Sequence, residues 1–588
     1  MTTKQHKTGA LSLPLRKTRE EAIRYDIYPS YRIGDGQIYE GYDTLAAIIL
    51  NHKTIIIDGY NGVYYDHLRG LTDSELRKAG VRVCWICTLQ FFKTEIEIEE
   101  LTSPFTGGND PLFGTRTDLS LEDFFKLPAL QATIPNPEYD INIIYGPGAC
   151  LAGWKGLLIY IDLPKNELQY RARSSKITNL GFSCPAGYKA MYKRSYFVDW
   201  PLLNRHKQAI FPQIDIFVDG QRPDEPVWIE GPVLRSGLSE MSRNIFRVRP
   251  WFEPGPWGGT WIKDHMEGLN KDVPNYAWSY ELITPENGLL FESSSKLLEV
   301  SFDCLMFLEP EAVLGAHQGR FGTEFPIRFD FLDTFDGGNL SIQCHPKPKY
   351  IKSHFGENFT QEETYYILDK KDDAVVYLGF MDDIDPVELR DALERSAEKG
   401  ELLETDRYIM SHPSSKHDLF LIPYGTVHGS GKNNLVLEIS TTPYIFTFKM
   451  YDWLRTDLDG RLRDLNIGRA LDNLIFNHQG DYAREHLKSR PELLEEGSDW
   501  QLWHLRTHKT HMYDIHRYKF RSSIQICTNN KCLVMNLVEG SSVLVETQHG
   551  IKEQIHYAET FVVPAAAESV RIKNLSDSDA MLINAFIK

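Results

Sequence analysis

The stretch from Leu340 to Leu368 constrains this chain most, because it places metal-binding residue types on two successive apolar strands. Gln343 and His345 are two residues apart in an apolar run, so on a strand both side chains project from the same face. Glu363 opens the next apolar strand, and a later segment, D-L-F-L-I-P-Y-G-T-V-H, ends at His428 after a Pro/Gly turn. Two imidazoles, one carboxylate and one amide oxygen are therefore expected to converge.

This donor set is typical of a borderline divalent metal ion. Because it contains no thiolate, it fits zinc in an open catalytic site that keeps a water, rather than a closed structural site rich in cysteine. His345 or His428 alone would be interpreted as an ordinary core or surface histidine. Their combination with the carboxylate and with the Q-x-H-P and P-x-G-x-x-H motifs favours a metal site. The sequence therefore predicts one Zn²⁺ per chain.

The composition is that of a large globular protein. The 588 residues are 42% hydrophobic and 25% charged, and a chain of this length is expected to form about three or four domains. The net charge of −17 argues against nucleic acid or an anionic membrane as a partner, so an anionic substrate needs local cations. No apolar run is long enough for a signal segment or a membrane span, which predicts a cytoplasmic protein. The oligomeric state is left open.

The N-terminal part follows an α/β pattern. Residues 1–40 read as a polar arm, and residues 41–245 contain strand-loop-helix units in series, which predicts a doubly wound α/β domain. An apolar strand runs into Asp58, as a phosphate-binding loop begins. This region resembles P-loop nucleoside kinases in strand order and short motifs. Gly62 is followed by V-Y-Y, however, where a P-loop needs G-K-[ST], and we expect a degenerate, structural or sugar-sensing domain instead of an active kinase.

The remaining chain is mainly strand-forming. Residues 246–450 contain many short strands with turns rich in Gly, Pro, Asn and Asp, which predicts a β-sandwich or jelly roll. One helix is expected to interrupt it, with Asp385 as its N-cap and an end at Gly400. Residues 451–510 are predicted to be helical. The residues from 511 to 588 alternate as strands do.

Two further clusters of metal-binding residue types are expected to be structural. Cys84 and Cys87 form a C-x-x-C pair, but no second pair completes four ligands, and the segment reads as a buried strand. Four histidines then come close together near the C-terminus. Their segment turns into an alternating strand, so we do not expect a second metal there; these residues are His504, His508, His511 and His516.

At the metal motifs the sequence resembles type I mannose-6-phosphate isomerases, a family of zinc cupins. The family pattern is L-S-I-Q-x-H-P, E-x-W-Y, I-P-x-G-T-x-H and T-Y-R-x-Y-D-W. This chain has L-S-I-Q-C-H-P, E-T-Y-Y, I-P-Y-G-T-V-H and T-F-K-M-Y-D-W in the same order. The resemblance implies a metal-binding cupin over residues 246–450 and a small cupin lobe over 511–588. It also implies interconversion of mannose 6-phosphate and fructose 6-phosphate through an enediol, with a sugar phosphate as partner.

The resemblance implies roles for four residues beside the ligands. Glu438 matches a family carboxylate near the metal, and is expected either to act as acid/base or to support a ligating histidine. Lys449 is expected to stabilise developing negative charge. Ser341 matches a serine on the phosphate side. Arg328 is expected to contribute to substrate binding.

Three positions depart from the family pattern. Gln361 stands where the family has a lysine, Lys449 replaces an arginine and loses its planar fork, and Asp330 replaces a lysine that helps to bind phosphate. Arg328 on the same strand face compensates in part for Asp330. Two alternatives stay open: a sugar-binding or regulatory zinc cupin that has lost isomerisation, and an isomerase of an unphosphorylated sugar, which Asp330 favours.

Overall fold

The computed structural model describes residues 12–17, 24–456 and 462–588. Residues 1–11 and 18–23 of the predicted arm, and residues 457–461 of the predicted helical segment, lie outside the described residues. Within the described ranges, every helix is too short or too polar to cross a membrane.

The first part of the chain alternates strands and helices. Its strands are β1 (Ser30–Arg32), β2 (Ile38–Glu40), β3 (Thr54–Gly59), β4 (Val83–Cys87), β5 (Ile141–Tyr145), β6 (Leu157–Asp162), β7 (Ile216–Asp219) and β8 (Val227–Glu230). Its α-helices are α1 (Tyr42–Ile49), α2 (Tyr65–Lys78), α3 (Glu95–Thr102), α4 (Leu127–Gln131), α5 (Lys165–Arg173), α6 (Tyr188–Arg194), α7 (Trp200–Ile210) and α8 (Gly231–Met241).

Seven of these strands form one mixed sheet in the order β2-β8-β7-β6-β3-β5-β4. The strands β3 to β7 are parallel, whereas β8 and β2 pair antiparallel at one edge. Ile55 and Ile57 pack with the helices α1 and α2 on one face, and Ile56 lies in the larger core on the other. Because both faces are covered, the strands are nearly continuous apolar runs. We call residues 38–241 the N-terminal domain.

The loop after β3 gives no support to a P-loop. A Cβ atom added at Gly62 would lie 2.6 Å from the Leu168 side chain, so α5 fills the space beside the loop. The Asp58 carboxylate is fully engaged as well: it accepts hydrogen bonds from the backbone nitrogens of Gly59 (2.7 Å) and Gly148 (2.9 Å), and it lies 2.8 Å from Nε2 of His206. These contacts are those of a packed structural loop.

The second part of the chain is mainly β. Its strands are β9 (Trp251–Glu253), β10 (Trp278–Leu282), β11 (Gly288–Ser293), β12 (Lys296–Ser301), β13 (Ile327–Asp333), β14 (Ile342–Cys344), β15 (Glu363–Lys370), β16 (Val375–Phe380), β17 (Ile409–Pro413), β18 (Leu419–Ile422), β19 (His428–Ser430), β20 (Asn434–Thr441), β21 (Phe448–Tyr451), β22 (Glu492–Glu496), β23 (Trp500–Leu505), β24 (Tyr513–Phe520), β25 (Ser523–Cys527), β26 (Leu533–Glu539), β27 (Ser542–Thr547), β28 (Lys552–His556), β29 (Thr560–Val563), β30 (Ser569–Asn574) and β31 (Ala580–Ile587).

Short helices connect these strands. They are α9 (Trp261–His265), α10 (Asp303–Leu308), α11 (Pro310–Leu314), α12 (Gln318–Phe321), α13 (Pro348–Phe355), α14 (Pro386–Lys399), α15 (Thr405–Tyr408), α16 (Ile467–Asn473) and α17 (Gly480–His486). The longest, α14, confirms the helix predicted after Asp385, whose side chain accepts hydrogen bonds from the backbone nitrogens of Val387 and Glu388.

Two antiparallel sheets form the centre of this part. One has the order β18-β15-β20-β13-β10-β9 and the other β17-β16-β19-β14-β21. From β13 to β15 and again from β18 to β21, successive strands alternate between the two sheets, as in a jelly roll. The described residues are thus consistent with the expected cupin architecture, and the side chains of the two inner faces meet between the sheets.

The C-terminal region contains two more sheets, β22-β23-β24-β31-β26-β29 and β25-β30-β27-β28. Its first strand corrects the prediction of helix over residues 451–510: α16 and α17 are helical, but the residues E-L-L-E-E form the exposed edge strand β22. Pairing with β23 decides this conformation, because β23 in turn pairs with β24 and extends the sheet. Tertiary pairing overrides the helix propensity of Leu and Glu there.

Candidate metal centre

The five-stranded sheet places three polar side chains in one row across its strands. Gln343 on β14 lies directly opposite His428 on β19 and, on its other side, opposite Lys449 on β21. Residues that face each other across antiparallel strands project from the same side of the sheet. The register therefore puts Lys449 on the same face as these two predicted ligands, which the sequence left undecided.

The six-stranded sheet supplies two further rows of polar residues. Arg328, Ser440 and Glu363 lie opposite one another on β13, β20 and β15. Asp330, Glu438 and Tyr365 form the next row of the same three strands. Because the rows are two residues apart, all six side chains point to the same face.

The sheets bring His345, Glu363 and His428 together. Nε2 of His345 lies 2.9 Å from Oε1 of Glu363, and Nε2 of His428 lies 3.3 Å from Oε2 of the same carboxylate. The ligand atoms of the three side chains are all within 4.8 Å of one another, and all three residues are buried. Burial opposes ionisation of Glu363, but the adjacent imidazoles of His345 and His428 lower its pKa well below its usual range. Burial lowers the pKa of His428.

Backbone carbonyls orient both imidazole rings. Nδ1 of His345 lies 3.0 Å from the carbonyl oxygen of Phe446, and Nδ1 of His428 lies 2.9 Å from that of Thr426. A proton on each Nδ1 leaves the Nε2 lone pair directed at Glu363, which is how metal-ligating histidines are held. Neither contact could be predicted from the sequence, because the identity of a residue does not determine the direction of its backbone carbonyl.

The arrangement fits a divalent metal ion. Nε2 of His345 and Oε2 of Glu363 are buried and make no hydrogen bond to any described residue. Unpaired polar atoms in a protein interior are costly, and a cation bound to the imidazole and carboxylate donors would satisfy both. The donor types are those of a nitrogen and oxygen site for a borderline metal.

Gln343 lies at the edge of this triad. Its amide nitrogen is 3.3 Å from Nε2 of His428, and its Oε1 accepts a hydrogen bond of 3.0 Å from the hydroxyl of Ser341. Rotation about the last side-chain bond exchanges the positions of the amide oxygen and nitrogen. With the amide turned, the oxygen faces the metal position, and Ser341 accepts from the amide nitrogen.

Gln361 is the residue whose role the sequence missed. Its amide nitrogen donates a hydrogen bond of 2.7 Å to Oε1 of Glu363. The sequence comparison marked this position as the loss of a family lysine, whereas the structure makes it the partner that orients the carboxylate. The signal was present in the i, i+2 spacing of Gln361 and Glu363, which puts both side chains on one face of an extended segment.

Four ionisable residues lie on the same sheet faces as the triad residues. Burial raises the pKa of Glu438 well above its usual range, and the charges of Asp330 and Glu363 raise it further. Burial likewise raises the pKa of Asp330 to about 7, and it lowers the pKa of Lys449 to about 8. Arg328 is buried with its guanidinium 4.9 Å from the ring centre of Tyr444.

The two other clusters that the sequence suggested do not assemble into a group of potential metal ligands among the described residues. Cys84 and Cys87 both lie on β4, and their thiols are free. His504 lies opposite His516 on the next strand and 2.8 Å from Asp514, while Nε2 of His508 lies 3.2 Å from the hydroxyl of Tyr482. Among the described residues, the His345, Glu363 and His428 triad is the group of potential metal ligands that comes together.

This chain matches one protein-family model and several individual proteins. Residues 41–243 match the model of a domain of unknown function, DUF8485. The chain is 24% identical over 326 residues, or 55% of its length, to 94% of the probable mannose-6-phosphate isomerase GmuF of Bacillus subtilis (strain 168). It is 26% identical over 224 residues, or 38% of its length, to 66% of mannose-6-phosphate isomerase ManA of the same organism.

Solved structures match as well. The crystal structure of mannose 6-phosphate isomerase from Bacillus subtilis aligns with 58% of this chain and 100% of its own, at 20% identity and a TM-score of 0.47. A putative mannosephosphate isomerase from Archaeoglobus fulgidus aligns with 59% of this chain and 98% of its own, at 17% identity and a TM-score of 0.44. By the sequence matches alone, 55% of this chain is distantly homologous to mannose-6-phosphate isomerases.

Proposed function

We propose that the protein is a metal-dependent aldose-ketose isomerase that interconverts mannose 6-phosphate and fructose 6-phosphate. The observation that carries the proposal is the buried triad of His345, Glu363 and His428, with Glu438 one row away on the same sheet face. The relatives named above are mannose-6-phosphate isomerases, which supports the choice of substrate.

Four residues are proposed to hold one zinc ion: Gln343, His345, Glu363 and His428. Two imidazoles, a carboxylate and an amide oxygen suit zinc and leave room for substrate oxygens. When bound, the ion supplies Lewis-acid polarisation of the sugar's carbonyl and hydroxyl oxygens. The chain's own contribution is to fix these ligands from two facing sheets, away from bulk water.

Glu438 is proposed as the acid/base residue. Isomerisation removes the proton on C2 of the aldose and adds a proton to C1, while the O2 hydroxyl proton moves to O1. A single carboxylate on one face of the enediol is therefore enough to move the carbon-bound proton from C2 to C1. Glu438 lies opposite Tyr365 and Asp330, and it makes no hydrogen bond to His345 or His428 among the described contacts. This favours proton transfer over the alternative of supporting a ligating histidine.

Lys449 is proposed to stabilise the negative charge that develops on the sugar oxygens. The register places it on the same face as Gln343, and its ammonium group is a charge without the bidentate fork of arginine. Ser341 and Arg328 are proposed to contact the substrate. Arg328 keeps two buried guanidinium nitrogens without a partner among the described residues, which leaves donors for sugar or phosphate oxygens.

An isomerase of an unphosphorylated sugar is the second candidate. Asp330 lies two residues from Arg328 on the same strand face, where a carboxylate opposes phosphate binding. Oδ1 of Asp330 is buried and has no partner among the described residues, so it is available to accept a hydrogen bond from a neutral sugar hydroxyl.

The test is conversion of mannose 6-phosphate to fructose 6-phosphate by the zinc-loaded full-length protein. His345→Ala serves as the blank for contaminating host isomerase, and free mannose is assayed beside the phosphate ester. Turnover that disappears in the variant supports the proposal. Turnover of free mannose alone selects the second candidate, and zinc binding without turnover of either sugar contradicts both and leaves a sugar-binding cupin.

A further inference from the structure

The loop of residues 442–447 links the two sheets of the candidate site. It leaves the six-stranded sheet at the end of β20 and enters the five-stranded sheet at β21. Within it, the carbonyl oxygen of Phe446 lies 3.0 Å from Nδ1 of His345. The position of this loop therefore decides where the His345 ring points.

The N-terminal domain packs directly on that loop. The buried Phe446 ring lies 5.7 Å from the ring of Phe113, 6.2 Å from Phe197 and 6.3 Å from Tyr196, measured between centroids. The ring of Phe355, which follows the ligand strand β14, completes the cluster at 4.9 Å. Three of the four aromatic rings around Phe446 thus come from the N-terminal domain.

A second contact reaches the same loop. The hydroxyl of Tyr192 on α6 lies 3.3 Å from that of Tyr444, and the Tyr196 ring lies 5.8 Å from the Tyr444 ring. The guanidinium of Arg328 lies 4.9 Å from the centre of the same Tyr444 ring. The loop therefore connects the N-terminal domain to both His345 and Arg328.

Backbone hydrogen bonds fix the segment that carries Phe113. The backbone nitrogen of Arg116 donates to the carbonyl of Phe355 at 2.9 Å, and that of Thr117 donates to the carbonyl of Phe197 at 2.9 Å. The segment is thereby tied both to its own domain and to the helix that follows His345. Because the backbone next to Phe113 is fixed in this way, its close-packed ring leaves Phe446 little freedom to shift.

We propose that the N-terminal domain is a built-in part of the metal centre, in which Phe113 and Phe197 hold Phe446 so that its carbonyl keeps His345 directed at the metal. They are positioning residues, because they act through Phe446 and touch neither metal nor substrate. This inference rests on the metal site of the proposed function. It assigns a role to the region that matches a domain of unknown function.

The test compares zinc affinity in full-length variants. Phe113→Leu and Phe197→Leu remove a ring from the cluster, and Phe217→Leu makes the same change at a fully buried position of the same domain, where the ring packs on Tyr160. Zinc binding is measured by competition with a chelating dye on protein whose fold is checked by circular dichroism. We expect affinity about 10-fold weaker in both cluster variants and within about twofold of wild type in the control, as for lost outer-shell support of a ligand.

The outcomes separate this inference from the proposed function. Unchanged zinc affinity in both cluster variants overturns the inference and leaves the metal site standing, as does an equal loss in the Phe217→Leu control. A wild-type protein that binds no zinc overturns both. If the leucine variants do not fold, Phe113→Met and Phe197→Met, whose unbranched and flexible side chains fill irregular gaps, decide by the same comparison.

Discussion

Asp330 and Glu438 lie directly opposite each other on adjacent antiparallel strands, so their carboxyl groups share one buried side of the sheet. Burial raises the pKa of Glu438 well above its usual range and that of Asp330 to about 7. Two carboxylates in a poorly solvated place do not ionise together readily. The pair therefore holds a proton near neutral pH, which suits a site that moves a proton between two carbons.

Replacing Glu438 by glutamine tests its acid/base role. We expect Glu438→Gln to lower kcat by about 10²- to 10⁴-fold, because the amide cannot exchange the proton, with zinc content unchanged. Steady-state kinetics and metal analysis on the same preparation give both quantities. Loss of zinc together with activity would instead identify Glu438 as support for a metal ligand.

Replacing Asp330 by asparagine tests the coupling of the two carboxyl groups. The negative charge of Asp330 raises the pKa of Glu438, so its removal lets Glu438 ionise at lower pH. We expect the acidic limb of the pH profile of kcat/KM to move to lower pH in Asp330→Asn, since this profile reports the free enzyme. A limb at the wild-type position would show that the two groups titrate independently.

Titration of Lys449 is expected to lower kcat/KM on the alkaline side of its pH profile. Its pKa is lowered to about 8 by burial first and then by Arg463, so the side chain is charged below this pH and neutral above it. We expect kcat/KM for the sugar phosphate to fall as pH rises through 8. Lys449→Arg keeps its charge to higher pH and should lose this limb. A limb that persists in the arginine variant excludes Lys449 as its source.

Replacing Gln361 is expected to weaken zinc binding without changing the fold. Gln361→Ala removes the hydrogen bond of 2.7 Å that orients the Glu363 carboxylate, and we expect zinc affinity to fall about 10-fold. Gln169→Ala is the matched control, because its buried amide donates a bond of 2.7 Å to Glu286 outside the metal triad. Isothermal titration of the zinc-free proteins measures the zinc affinity of both variants. If Gln361→Ala binds zinc as tightly as the Gln169→Ala control, the Glu363 carboxylate does not need this hydrogen bond to bind the metal.

Local sequence patterns predicted several strands and the helix α14 of this structure. The apolar runs around Gln343 and Glu363 predicted the strands β14 and β15, although His345 lies just after the end of β14 and not on the strand. Asp385 followed by Pro386 predicted the start of α14, since a cap and a fixed φ angle act within one turn. Such features depend on neighbours in the chain, and this is why they can be derived from the sequence.

Tertiary structure decided what depends on distant residues. The strand β22 forms from a helix-favouring segment because β23 pairs with it. The opposition of Asp330 and Glu438 follows from the register of β13 and β20, whose residues are more than a hundred positions apart. The carbonyl of Phe446 meets His345 only when the loop of residues 442–447 is in place, because a backbone oxygen has no side-chain signature. The sequence by itself determined which residue types lie on each face of a strand. Which of these side chains come into contact was determined only by the pairing of the strands and the packing of the two sheets.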